Sequence, residues 1–294
     1  MHSRCPALSP TLCGKPVPVN RALVMAIVNR TPDSFYDRGS TFRDEAAMEA
    51  VRRAVDEGAD VIDIGGVKAG PGREVDEAEE MRRVVPFVAA VRSTFPDVVI
   101  SVDTWRANIA RRACAEGADL INDTWAGADP ELAAVAAELG AGIVCSHTGG
   151  AEPRTRPHRV RYADVAAAVA EEVTRAADRA LSAGVRADGI LIDPTHDFGK
   201  NTFHGLDLLR RLDVLVNSGW PVLMALSNKD FIGETLDVGL TERLEGTLAA
   251  TAVAAWSGAR MFRVHEVAQT RRVLDMVAAI AGTRPPARTV RGLA

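Results

Sequence analysis

Residues 57–66 read Glu-Gly-Ala-Asp-Val-Ile-Asp-Ile-Gly-Gly, and two structural periods meet there. Before the junction, Ala46–Glu57 has apolar residues at helical spacing and stops at Gly58, a residue suited to the left-handed turn that ends a helix. After it, Val61–Ile64 is a short apolar run of the kind found in parallel strands covered on both faces. The junction recurs as Glu116–Asp119 and, in the form Ser-Gly-Ala-Arg, as Ser257–Arg260. Each is a helix stop feeding a strand, and the natural cause is a repeated βα unit.

Working outward, eight such runs appear: Ala22–Val28, Val61–Ile64, Val98–Val102, Leu120–Ile121, Gly142–Cys145, Ile190–Ile192, Pro221–Leu226 and Met261–Val264. Helical patterns lie between and after them, over Ala46–Glu57, Val75–Phe95, Arg106–Glu116, Pro130–Leu139 (with Asp129 as its cap), Tyr162–Ala183, Leu206–Asn217, Thr241–Ala255 and Val267–Ile280. Eight βα units in about 250 residues predict an α/β fold, a (β/α)8 TIM barrel in a single domain over residues 21–282. An open doubly wound sheet is the alternative, disfavoured because no G-x-G-x-x-G turn follows the first strand. Residues 1–20 are expected to be a flexible arm and residues 283–294, with three arginines and no acid, a basic tail.

Composition narrows the function classes. The 294 residues are 47% hydrophobic and 25% charged, which excludes wholesale disorder and a disulfide-stapled miniature scaffold. A net charge of −4 argues against a nucleic-acid partner. The four cysteines form no C-x-x-C pair, so reduced thiols in the cytoplasm are expected. No apolar run is long enough to span a membrane.

In a barrel of this kind the site lies where the strands end. Asn29 and Asp33 follow the first strand, Asp103 the third, Asn122 the fourth and Asp193 the sixth; Ser227 and Lys229 follow the seventh, Arg263 and His265 the eighth. Ser227, Lys229, Arg263 and His265 form a donor-rich corner suited to phosphate. Asp103, Asn122 and Asp193 can match the donor and acceptor edge of a flat nitrogen heterocycle. Asn29 offers an oxygen to a Mg²⁺ bridging phosphates.

In order along the chain, MAIVNRTPDSFYDRG (25–39), DIGG (63–66), SVDT (101–104), ND (122–123), DPTHDFGK (193–200), SNK (227–229) and RVH (263–265) resemble the dihydropteroate synthase family. The resemblance covers roughly residues 23–279. It implies transfer of a dihydropterin methylene from diphosphate to the amine of p-aminobenzoate, in the folate pathway, with Mg²⁺ as cofactor. It implies catalytic roles for Asp33, Lys229 and Arg263. Asp103, Asn122, Asp193, Lys229, Ser227, Arg263 and His265 would bind substrate, and Asn29 the metal. It also implies a homodimer through the last helices.

The departures bear on activity. Where the family runs G-G-E-S-T-R-P-G, this chain has Gly65-Gly66-Val67-Lys68-Ala69-Gly70-Pro71-Gly72. Asn228 stands for the arginine of S-R-K, and Thr195-His196-Asp197 for G-I-G. Losing one charge-assisted hydrogen bond costs about 1.5–3 kcal/mol, or roughly 10- to 150-fold. The expectation is a synthase-like protein with absent or strongly reduced turnover that retains weak binding of a pterin, a phosphate-bearing molecule or an inhibitor. An active synthase and a barrel enzyme for another phosphorylated or methylated pterin remain the alternatives.

Overall fold

Gly58 and Gly117, the stop residues of two repeated junctions, adopt φ of 94° and 107°, a region glycine enters without the clash a Cβ would cause. The aspartate that follows each one reaches back to the preceding strand. Asp60 Oδ2 accepts from Val24 N at 2.9 Å and Asp119 Oδ2 from Ile100 N at 2.8 Å. Arg21 and Arg271 donate to Asp60, and Arg92 and Lys15 to Asp119. The repeat therefore fixes strand register at the floor of the fold.

The computed structural model describes residues 9–31, 43–155 and 161–291. A short hairpin, β1 (Thr11–Leu12) and β2 (Lys15–Pro16), precedes β3 (Leu23–Asn29), β4 (Val61–Gly65), β5 (Val99–Asp103), β6 (Leu120–Asp123), β7 (Gly142–Ser146), β8 (Ile190–Asp193), β9 (Leu223–Met224) and β10 (Met261–Val264). The last eight strands form one parallel sheet in the order β8-β7-β6-β5-β4-β3-β10-β9. Ile192 of β8 bridges Val222, the residue before β9, and closes the ring. The helices are α1 (Asp44–Asp56), α2 (Glu77–Thr94), α3 (Ala107–Ala115), α4 (Leu132–Leu139), α5 (Val165–Ser182), α6 (Thr202–Arg210), α7 (Leu212–Val216), α8 (Asp230–Leu236), α9 (Leu244–Trp256) and α10 (Val267–Ile280). This is the expected single-domain (β/α)8 barrel.

Alternation along the strands divides the core in two. Outward residues such as Val24, Ile62, Ile100, Ile121 and Phe262 pack beneath the helices. Inward residues such as Met25, Val61, Val99, Leu120, Leu191 and Met261 fill the lower barrel. Above them the same inward rows turn polar: Asp63, Ser101, Asn122, Asp193 and Arg263. One period-two pattern thus builds both the floor and the site.

Four details differ from expectation. The arm expected over residues 1–20 is a folded hairpin from its ninth residue on. Leu12 inserts into the inner cluster, and Thr11 Oγ1 and Gly14 N donate to Asp188 Oδ2 at 2.6 and 3.0 Å. Burying Leu12 over the barrel floor supplies the driving force. The helix expected over Leu206–Asn217 starts earlier, where Asn201 caps Thr202, and breaks at Arg211 into α6 and α7. Helix α8 was absent from the expected set. Asp129 lies two residues before the N-cap of α4 and serves two helix starts at once, accepting from Glu131 N at 3.0 Å and from Ala107 N of α3 at 2.8 Å.

Candidate active site

Asp63 is the buried centre of the barrel mouth. Inward on β4, it accepts from Ser101 Oγ at 2.6 Å, from Asn122 Nδ2 at 3.3 Å and from Arg263 Nε at 2.6 Å. Arg263 Nη2 donates to Asp103 Oδ2 at 2.6 Å, and Thr124 Oγ1 to Asp103 Oδ1 at 2.7 Å. Sheet register makes this convergence possible, because Asp103 pairs with Gly65 on one side and Asn122 on the other. The structure therefore joins Asp103, Asn122 and Arg263 in one network through Asp63. Burial pushes the Asp103 carboxyl up to about 6; Arg263 opposes the rise and Asp63 adds to it. Burial works against the Arg263 charge, but Asp63 and Asp103 outweigh it and raise the guanidinium pKa.

Asp193, at the end of β8, accepts from Thr195 N at 2.7 Å. Burial raises its pKa, while Lys229, Lys200 and Arg263 pull the other way. Lys229 stands at the start of α8 with Nζ 4.7 Å from the centre of the Phe198 ring. Burial lowers its pKa, and Asp197 and Asp193 resist that fall. Phe198 continues an edge-to-face row with Trp125 at 5.1 Å, and Trp125 with Trp105 at 6.5 Å. Lys200 turns away and donates to the carbonyls of His147, Thr195 and Phe198 at 3.1, 3.2 and 2.8 Å. It organises the loop after β8, and burial brings its pKa down to about 7.

After β9 and β10, Ser227 Oγ lies 2.9 Å from His265 Nδ1 and 3.2 Å from Glu266 Oε2. Burial, with Arg263 and Lys229 nearby, brings His265 down to about 3. At neutral pH it is an uncharged hydrogen-bonding group rather than a third cation. Asn228, in a left-handed conformation with φ 56°, directs Nδ2 to Glu266 at 3.1 Å and receives Thr247 Oγ1 at its backbone N–H at 3.2 Å. Its side chain is buried beneath the rim. Arg30, the residue that follows β3, is turned toward the helices: it pairs with Asp44 and lies 4.5 Å over the Phe87 ring. Asn29 ends β3 beside Gly65. Asp33 lies outside the described residues.

Asp63 is a site residue that strand-end reading missed, whereas Asp197 follows the sixth strand but was given no role there. Asp63 lies inside its strand, two residues before the end, and the signal was the polar tooth in the alternation Val61, Asp63, Gly65. Asp197 owes its position to the loop after β8, whose path no local pattern specifies. His204, by contrast, caps α6, its Nδ1 accepting from Asn201 N at 3.3 Å.

The described residues hold no group of three His, Cys, Asp or Glu suited to a metal ion. Asn29 supplies one neutral oxygen, and Asp63 and Asp103 are taken by Arg263. Such a donor set suits a Mg²⁺ that arrives on a diphosphate better than a resident ion. No helix among the described residues is long and apolar enough to cross a membrane.

Residues 25–265 match the family model for pterin binding enzymes. A Mycobacterium leprae protein named inactive dihydropteroate synthase 2 is 70% identical over 96% of this chain and 99% of its own length. A Haemophilus influenzae dihydropteroate synthase is 39% identical over 88% of this chain and 94% of its own. Among solved structures, a Yersinia pestis dihydropteroate synthase in a sulfonamide drug complex superposes with a TM-score of 0.87 at 34% identity, covering 93% of this chain and 99% of that one. With this barrel and this ring of polar strand ends, the chain belongs to the dihydropteroate synthase family of pterin-binding enzymes.

Proposed function

We propose that this protein binds a pterin in its barrel mouth and has absent or strongly reduced dihydropteroate synthase activity. The observation that carries the reading is the double engagement of Arg263 by Asp63 and Asp103, each at 2.6 Å. The rim guanidinium is already paired with two carboxylates, and the two arginines the family pattern places in the loop after β4 and after β9 are replaced here by Gly70 and Asn228. Asn228 is turned to Glu266, Arg30 to Asp44, and the stretch Val67–Gly72 has Lys68 as its one cationic side chain. A departing diphosphate needs preorganised positive charge. Three missing contacts, the loop hydroxyl and the two guanidinium groups, at about 1.5–3 kcal/mol each remove ~10³-fold or more of rate. The name of the 70% identical M. leprae relative supports the same reading.

In this reading Asp103, Asn122 and Asp193 accept from and donate to the heterocycle edge, and Lys229 donates to it. Ser227, Arg263 and the neutral His265 face the phosphate end, and the family resemblance gives Asp33 a catalytic role. Asn29 would hold a Mg²⁺ carried by the diphosphate, where the ion offsets phosphate charge. The assay is dihydropteroate formation by purified protein given both substrates and Mg²⁺, alongside calorimetric titration with the pterin. The expected result is heat of binding with turnover at least 10³-fold below an ordinary synthase. Turnover at the ordinary rate would overturn the proposed inactivity, and no heat at millimolar pterin would remove the pocket.

We also propose a homodimer through α9 and α10. Val253 and Trp256, three apart on α9, and Met276 and Ile280, four apart on α10, are more than half exposed, and the two helices pack together. An apolar patch of this kind marks an interface. Cys13, Cys114 and Cys145 are free, which suits a reducing cytoplasm.

A further inference from the structure

The end of β7 carries a hydroxyl that the fold leaves without a partner. Val144 belongs to the inner cluster, so Ser146, two residues on, has the same inward parity. Register places Ser146 level with Asp193 on one side, and Val144 level with Asn122 on the other. Asn122, Ser146 and Asp193 are 2%, 3% and 4% exposed, so a ring edge that reaches the two outer residues also reaches the middle one. The backbone there is fixed. His147 N donates to the Asp193 carbonyl at 3.1 Å, and Lys200 Nζ to the His147 carbonyl at 3.1 Å. Ser146 Oγ is nevertheless buried with no hydrogen-bond partner within the protein. A buried hydroxyl in that state lowers stability and calls for an explanation. Thr251 and Thr270 carry unpartnered hydroxyls too, but on the outer helices α9 and α10; Ser146 is on a barrel strand, among the residues that face the mouth.

Asn122 commits its amide nitrogen to Asp63 at 3.3 Å and has its carbonyl oxygen to offer, while Asp193 offers a carboxylate. Strands β6 and β8 therefore present acceptors. The Ser146 hydroxyl between them is the uncommitted donor among the inward side chains of β6, β7 and β8. Resting on the pterin-pocket reading, we infer that Ser146 is a specificity-determining residue: its hydroxyl donates to a ring nitrogen flanked by two N–H donors, one facing Asn122 and the other Asp193. Holding no bond in the free protein, the hydroxyl turns about Cα–Cβ to meet that nitrogen without giving one up. A 2-amino-dihydropteridine has such an edge, in the order donor, acceptor, donor, and a ring with carbon in the central place would leave the hydroxyl unpaired.

The test compares wild type with Ser146→Ala and, as a control, Thr251→Val, which removes an unpartnered hydroxyl from an outer helix. Calorimetry uses a neutral hydroxymethyl dihydropterin and the same molecule with the flanked ring nitrogen replaced by C–H, and urea midpoints are read alongside. Ser146→Ala should bind the dihydropterin more weakly than wild type by roughly fivefold or more. It should bind the carbon analogue within about twofold of wild type and unfold at a midpoint no lower than wild type. Thr251→Val should leave both affinities within about twofold, since no ligand bond is lost. Equal dihydropterin affinity in wild type and Ser146→Ala, or an equal loss for both probes, would overturn the inference while leaving the pocket in place. A lowered midpoint for Ser146→Ala would overturn it as well, because the hydroxyl would then have a structural partner. A wild type that binds no dihydropterin at millimolar concentration would remove the pocket reading, and the role of Ser146 with it.

Discussion

Arg263 reaches past β3, the strand between β10 and β4, to set Nε 2.6 Å from Asp63 Oδ2. Asp63 has no exposed surface, so this ion pair is taken fully out of water on one side. Removing one partner of such a pair leaves a charge in low dielectric, which costs far more than the pair contributes. Asp63→Asn should therefore destabilise the protein by about 3 kcal/mol, read as a lower midpoint in urea at constant slope. Asp103→Asn should cost less, because Asp103 remains partly exposed. Equal losses would mean that the site is not organised around Asp63.

The barrel floor makes an independent prediction. Leu12 is 5% exposed and packs on the inner cluster from below. Leu12→Ala should cost about 2–3 kcal/mol by lost transfer and a residual cavity. A change under 0.5 kcal/mol would mean that the hairpin does not plug the barrel in solution.

How far these features could be read beforehand depends on their period. The eight barrel strands were legible because their apolar runs are flanked by helix stops, and the strand-end residues Asp103, Asn122 and Arg263 were legible because parallel strands share one carboxyl rim. Asp63 was hidden inside a run that reads as continuous, although its alternation with Ile62 and Ile64 places it inward. Strands β1 and β2 have two residues each, too few to show any period, and only the tertiary contact of Leu12 orders them. The seven residues of α8 carry too little periodicity to separate helix from loop. The turn at Asp197 depends on a partner 33 residues away.

Titration of Asp103 gives a prediction with a defined sign. Its folded pKa, about 6, lies above the ordinary carboxylate value, so the native state holds a proton that the unfolded chain has released. Stability from this group is full below about pH 4 and is lost as pH rises through 6. The unfolding free energy of wild type minus that of Asp103→Asn should fall by roughly 2–3 kcal/mol between pH 4 and 7. A difference that is flat or rises over this window would contradict the raised pKa.

The proposed interface is tested by charge. Trp256→Glu and Met276→Glu place a carboxylate on the exposed faces of α9 and α10, and an interface core disfavours such charges. Sedimentation should shift from dimer to monomer, with unfolding midpoints at high dilution unchanged. A wild type that sediments as a monomer at tens of micromolar would remove the interface.

Restoring the loop donors separates steric cost from chemistry. A Cβ at Gly70 would meet only the Lys68 Cε, at 3.9 Å, so Ala69→Thr with Gly70→Arg should fold with a stability change within about 0.5 kcal/mol, as open surface sites do. Asn228 is another matter, since its left-handed backbone and its bonds to Glu266 and Thr247 leave no room for a longer side chain. Adding Asn228→Arg should cost about 1–3 kcal/mol through overpacking and lost hydrogen bonds. If the missing hydroxyl and guanidinium limit the reaction, the double variant should gain at least tenfold in turnover over wild type, about 1.4 kcal/mol of barrier. A double variant that folds and binds pterin yet gains no turnover would shift the cause to the loop after β8, where Asp197→Gly is then the change to add.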